Sequence, residues 1–115
     1  MSDHRSRVTT HVLDATSGRP AADVEVTLDR QSGASWQRVA SGRTDADGRI
    51  SEFGPGDLEG GVYRVSFAVG AYFAGRKQPT FYPEVVISFR LDEMDEHCHV
   101  PLLLSPYAYS TYRGS

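Results

Sequence analysis

Long apolar runs are missing from this chain, as are cysteine pairs, basic clusters and helical periodicity. No segment approaches the ~20 consecutive apolar residues of a membrane-spanning helix. The opening run Met1-Ser-Asp-His-Arg-Ser-Arg7 lacks the apolar centre of a secretory signal. The single cysteine, Cys98, can form no internal disulfide, so nothing requires an oxidising compartment. Twelve Lys and Arg stand against fifteen Asp and Glu, a net charge of −3. The basic pairs Arg5/Arg7 and Arg76-Lys77 are too short to build the surface that a nucleic-acid binder or polybasic membrane module needs. No Gly-X-Ser-X-Gly elbow or Gly-rich phosphate loop is present. These absences point to a cytoplasmic protein whose business is with neither nucleic acid nor membrane.

What the chain does have is strand-like alternation. Its 115 residues suit one domain, 1–115, with residues 1–6 as a flexible lead-in. Arg7–Leu13 is rich in β-branched residues and stops at Asp14-Ala-Thr-Ser-Gly-Arg-Pro20, dense in turn formers. Val24, Val26 and Leu28 alternate with polar residues, the pattern of a half-buried strand. Further strands are expected over Ser35–Ser41, Arg49–Glu52, Val62–Val69, Glu84–Leu91, His97–Leu104 and Tyr107–Arg113. The segment Ala71–Gln78 is the one candidate helix, stopped by Pro79. The fold class is therefore all-β, an antiparallel β-sandwich of seven to eight strands with one short helix.

Successive side chains on a strand point to opposite faces. Cys98, Val100, Leu102 and Leu104 then share the core face, leaving His97, His99, Pro101 and Leu103 on the other. Val8, Thr10 and Val12 likewise oppose Thr9, His11 and Leu13, and Ser110, Tyr112 and Gly114 oppose Tyr109, Thr111 and Arg113. The outward faces mix histidines with Leu13, Leu103 and Tyr112, which is the composition of an interface, a ligand groove or both. The sequence reaches Tyr112-Arg-Gly-Ser115 directly after a strand-like run, which reads as a segment built into the structure.

His97 and His99, two apart on a strand, present both imidazoles to one face and could bind zinc, but no third ligand follows in a recognisable spacing; Glu93, Asp95 and Glu96 lie in a polar turn. Asp45-Ala-Asp-Gly48 lacks the further carboxylates of a calcium loop and reads as a turn. Cys98 points inward, away from both neighbouring histidines, and reads as a structural thiol. Two histidines from different strands with an arginine make a better catalytic set: one imidazole deprotonates water, the other shuttles a proton or orients substrate, and the guanidinium holds a planar anionic group. On the residues alone, a solvated or interfacial histidine is the commoner reading.

Thr10-His-Val-Leu-Asp-Ala-Thr-Ser-Gly-Arg-Pro20, His97-Cys-His-Val-Pro-Leu-Leu-Leu-Ser-Pro106 and Tyr112-Arg-Gly-Ser115 resemble the 5-hydroxyisourate hydrolases, transthyretin-like proteins of purine catabolism. The resemblance runs from about Val8 to Ser115. It implies the transthyretin-like sandwich and hydrolysis of 5-hydroxyisourate to 2-oxo-4-hydroxy-4-carboxy-5-ureidoimidazoline by a cyclic amide hydrolase, with no metal or organic cofactor. It implies His11, Arg49, His99 and Ser115 as catalytic residues, with Tyr112, Arg113 and Gly114 joining them in substrate binding, and His97 outside the catalytic set. A homotetramer with sites at the dimer–dimer interface is implied as well. Cys98 departs from the family, which commonly has an aromatic there. The alternative is a transthyretin-like small-ligand carrier without catalysis, whose family pattern lacks the histidines matching His11 and His99 and the terminal motif.

Overall fold

The computed structural model describes residues 6–94 and 97–114. Its elements in chain order are β1 (Val8–Asp14), β2 (Arg19–Pro20), β3 (Glu25–Ser32), β4 (Ser35–Arg43), β5 (Arg49–Ile50), β6 (Gly61–Phe67), α1 (Val69–Gly75), β7 (Val85–Leu91), β8 (Cys98–Ser105) and β9 (Ala108–Thr111). They form two packed sheets. One has the order β2-β1-β8-β9, with β5 also paired to β1, and the other the order β4-β3-β6-β7.

Alternation holds along the strands that carry the core. Val8, Val12, Leu102 and Leu104 meet Val26, Leu28, Tyr63, Val65 and Phe67 of the second sheet, with Phe53 and Phe73 filling the interior. The nine described strands exceed the expected number by β2, only two residues long, while the strand expected over Arg49–Glu52 shortens to the two residues of β5. Residues 19–20 look like turn in sequence because their pairing is decided by β1, not by local propensity. One pairing also departs from an antiparallel sandwich: β1 and β8 run parallel, Val8 opposite Cys98 through Asp14 opposite Leu104.

The helix starts two residues earlier than expected, at Val69, and ends at Gly75. Val69 and Phe73 are buried, which pulls the end of an apparent strand into the first helical turn. At the last residue of the expected lead-in the chain is already packed. Ser6 is buried, its hydroxyl donates to the Gly54 carbonyl at 3.0 Å, and the Phe53 amide donates to that hydroxyl. The rest of that expectation, residues 1–5, lies outside the described residues, as do Asp95, Glu96 and Ser115.

Two buried carboxylates tie neighbouring elements together, Asp29 across three strands of one sheet and Asp14 between β1 and α1. Asp29 accepts from Arg38 at 2.7 Å and Arg64 at 3.0 Å. Burial works to raise its pKa, but the two guanidiniums outweigh burial and hold the carboxyl below the ordinary value. Asp14, the last residue of β1, accepts from the Thr16 amide at 2.9 Å and from the Tyr72 hydroxyl of α1 at 2.8 Å. Burial, reinforced by Asp14, pushes the Tyr72 phenol up to about 12. Tyr72→Phe removes the donor and leaves one Asp14 oxygen buried without it. A loss of about 1–3 kcal/mol of stability is expected, measured as a lower Tm; an unchanged Tm would show that the contact contributes nothing.

Candidate functional site

The parallel register of β1 and β8 sets Thr9 beside His99, His11 beside Pro101 and Leu13 beside Leu103. Directly paired residues project to the same side of a sheet, so these six share the outer face. His11, Leu13, His99 and Leu103 are half-buried there, while Pro101 is buried and His97 exposed.

Arg49 reaches the same face through a tight turn. The Asp45 carboxylate accepts from the amides of Asp47 at 2.9 Å and Arg49 at 3.0 Å, and the Gly48 amide donates to the Asp45 carbonyl at 2.9 Å. Gly48 has φ +74°, and a Cβ there would collide with the Val12 carbonyl oxygen, so only glycine lets the turn lie against β1. The turn delivers Arg49 opposite His11 in an antiparallel pair. Among the described residues, no carboxylate forms an ion pair with the exposed Arg49 side chain. The acidic turn is a positioning device for an arginine, as its reading as a turn anticipates.

His99 is held from several sides. Its Nδ1 lies 2.8 Å from Thr9 Oγ1, and the same hydroxyl lies 3.0 Å from His97 Nε2. The two imidazoles stack, with centroids 6.3 Å apart and planes inclined by 14°. Beyond β9 the chain continues alongside β8, and the Gly114 amide donates to the His99 carbonyl at 2.9 Å. Gly114 lies so close to the ring that an added Cβ would sit 2.5 Å from His99 Cδ2. Burial pushes the His99 imidazole below the ordinary histidine pKa, and the nearby positive charges of Arg49, His97 and His11 push the same way, against a hydrogen bond accepted by the Thr9 backbone, which raises it. The ring is therefore neutral near pH 7, the form that can take a proton.

A cleft of about 290 Å³ opens over this face, lined by Thr9, Arg49, Ser51, His97 and His99 among others. His99 also borders an apolar cavity of about 240 Å³ with Phe89, Tyr112 and Arg113. The cleft beside α1 is larger, about 450 Å³, but its charges are engaged with one another. Arg43 pairs with Asp23 at 3.5 Å and Glu25 at 3.8 Å, and Arg76 lies over the Tyr72 ring. Among the described residues, no group of three or more His, Cys, Asp or Glu side chains is arranged to hold a metal ion, and no helix is long and apolar enough to cross a membrane.

The structure thus gathers His11, Arg49, His99 and Gly114 on one face, and brings Tyr112 and Arg113 to the neighbouring cavity. The continued β8–β9 register puts Tyr112 on the His99 side. Ser115 lies outside the described residues. The reading from sequence missed Thr9, which shares its parity with His11 and sits two residues before it. The missing signal was the strand partner, since nothing in the sequence pattern says that β1 lies beside β8.

The profile of the HIUase/Transthyretin family matches residues 8–114. The chain belongs to this family. It is 49% identical over 114 residues to the 5-hydroxyisourate hydrolase of Caulobacter vibrioides, covering 96% of this chain and 99% of the relative. The solved Klebsiella pneumoniae 5-hydroxyisourate hydrolase superposes with a TM-score of 0.86 at 35% identity, covering 96% of this chain and 99% of that one. Transthyretin from Sparus aurata superposes with a TM-score of 0.89 at 30% identity, covering 96% of this chain and 97% of that one. The family fold serves both proteins equally well, so the side chains on the β1–β8 face have to discriminate between them.

Two outcomes check this geometry. In an NMR titration the His99 ring should protonate below pH 6.5, the ordinary histidine value; a midpoint at or above it would mean that burial and Arg49 do not act on the ring. Gly114→Ala should shift the His99 resonances while leaving the far-ultraviolet circular dichroism unchanged, and unshifted resonances would count against the close approach.

Proposed function

We propose that this chain is a hydrolase that converts 5-hydroxyisourate to 2-oxo-4-hydroxy-4-carboxy-5-ureidoimidazoline in urate degradation. The observation that carries the reading is the outer β1–β8 face, where a neutral-poised His99 and an arginine without a carboxylate partner among the described residues border one cleft with His97, and His11 is the strand partner of that arginine. Such a set suits opening of a cyclic amide. His11 and His99 position a water and take its proton as it attacks the ring acyl carbon. Arg49 binds substrate oxygens and stabilises the charge of the tetrahedral intermediate. In this reading Tyr112, Arg113 and Gly114 close the substrate pocket, and Ser115, next in the chain, orients the substrate or a histidine.

The proposed assembly is a homotetramer with its sites at the dimer–dimer interface. Support comes from half-buried Leu13 and Leu103 beside the histidines and from the exposed Tyr112. A cytoplasmic setting fits a fold whose single cysteine, Cys98, is buried. The reading includes no metal or organic cofactor.

A transthyretin-like carrier remains the second reading, favoured by the close superposition on Sparus aurata transthyretin. It fits this chain less well, because an imidazole- and guanidinium-lined cleft is costly to desolvate against an apolar ligand.

Freshly prepared 5-hydroxyisourate, followed by its ultraviolet absorbance, decides between them. Decay no faster than the uncatalysed rate would leave the carrier. Single substitution of His11→Asn, Arg49→Gln or His99→Asn should lower kcat/KM by about a hundredfold or more without changing the oligomer's sedimentation. His97→Asn should be mild by comparison. Leu103→Arg should break the tetramer and activity together, whereas an active monomer would dissociate the site from the interface.

A further inference from the structure

Thr9 and His97 have no part in the steps above, yet one hydroxyl joins them to the ring that does. Thr9 Oγ1 lies 2.8 Å from His99 Nδ1 and 3.0 Å from His97 Nε2. A hydroxyl carries one hydrogen and can donate only once, so at least one of these two ring nitrogens must itself carry hydrogen toward Thr9. The tautomers of the two imidazoles are therefore linked through Thr9.

We propose that Thr9 and His97 form a tautomer lock on His99, a role that rests on the hydrolase reading and deepens it. In the locked arrangement His99 Nδ1–H donates to Thr9 Oγ1, and the Thr9 O–H donates to His97 Nε2. His97 keeps its own hydrogen on Nδ1, and its exposed ring leaves the donor chain open to solvent. His99 Nε2 then bears the lone pair. When it takes a proton from water, the imidazolium already has an acceptor for its Nδ1–H, so no group has to reorganise during the step. In the reverse arrangement Thr9 donates to His99 Nδ1, Nε2 carries the hydrogen, and the ring offers no lone pair at Nε2 for taking a proton from water.

The surroundings favour the locked form. The charged and titratable groups about His99 are Arg49 on β5, His11 on β1, His97 just before β8, Arg90 on β7, and Tyr112 and Arg113 beyond β9. A neighbouring cation such as Arg49 favours a bare nitrogen over an N–H turned toward it. The parallel register makes Thr9 the direct partner of His99, and Gly114 presses on the ring's carbon edge, so ring rotation is not a cheap escape. Thr9 and His97 are positioning residues in this scheme, and they touch no reacting atom.

The test uses protein labelled with ¹⁵N-histidine and two-bond proton–nitrogen correlation NMR, recorded where His99 is neutral and without substrate. The expected result is hydrogen on Nδ1 of His99 in the native protein and in Thr9→Ser, and a shift toward hydrogen on Nε2 in Thr9→Val. In turnover, Thr9→Val should lower kcat about tenfold or more with KM little changed, and Thr9→Ser should return kcat to within about threefold. His97→Phe should fall between them, while His97→Asn, whose amide can still accept from Thr9, stays near native. Native His99 with its hydrogen on Nε2, or Thr9→Val with unchanged tautomer and kcat, would overturn the lock. A native protein with the expected tautomer but no hydrolysis would defeat the hydrolase reading and leave the lock standing.

Discussion

Because β1 and β8 run in the same direction, Thr9 lies beside His99 and His11 beside Pro101, with all four on one face. That pairing is the constraint from which the site follows. An antiparallel arrangement would reverse the register along the strand and separate Thr9 from His99. The core depends on the same contact, since Val8, Val12, Leu102 and Leu104 line its inner side. Stability and chemistry are thus written on opposite faces of two strands, with a period of two residues separating them.

The second sheet and the turns fix what that pairing leaves free. Gly48 lets the Asp45 turn press against Val12, and that contact aims Arg49 at His11. Asp14, bonded to Tyr72, closes the far end of β1 against α1. Each is a local device with an effect at the cleft: one supplies the cation, the other anchors the strand that carries His11.

Much of this was legible in the residues, and the exceptions have physical causes. Parity alone sorted His11, His99, Leu103 and Tyr112 onto the outward faces of their own strands and Cys98 onto the inward one, because alternation is a property of the single strand. Arg49 is different. It sits in a two-residue strand whose existence depends on β1, so only resemblance singled it out. The parallel sense of β1 and β8 was illegible, as strand direction is set by the path of the whole chain. Thr9 was missed for the same reason, since its hydroxyl acquires meaning only from a partner ninety positions away. The helix was placed late because Val69 continues the apolar alternation of β6 while already belonging to the first turn of α1.

Transthyretin and the hydrolases share a backbone so similar that superposition does not separate them. Function has to be argued from the side chains on a surface that the fold leaves uncommitted. A sandwich core asks nothing of its outer face beyond solubility or a partner, so that face is free to differ between relatives that share the backbone.

The separation of Thr9 from His99, ninety positions along the chain, has a further consequence for biogenesis. A contact of such high sequence separation closes late, because the loop entropy is lost before the strand pairing repays it. Early compact species can assemble the β3-β4 hairpin and the β6-β7 pair from nearer segments while still lacking the cleft. During refolding, intrinsic fluorescence from Trp36 on β4 would then recover ahead of turnover. The interval between the two signals would cover the arrival of β8 beside β1 together with subunit assembly, and its concentration-independent part would time the former.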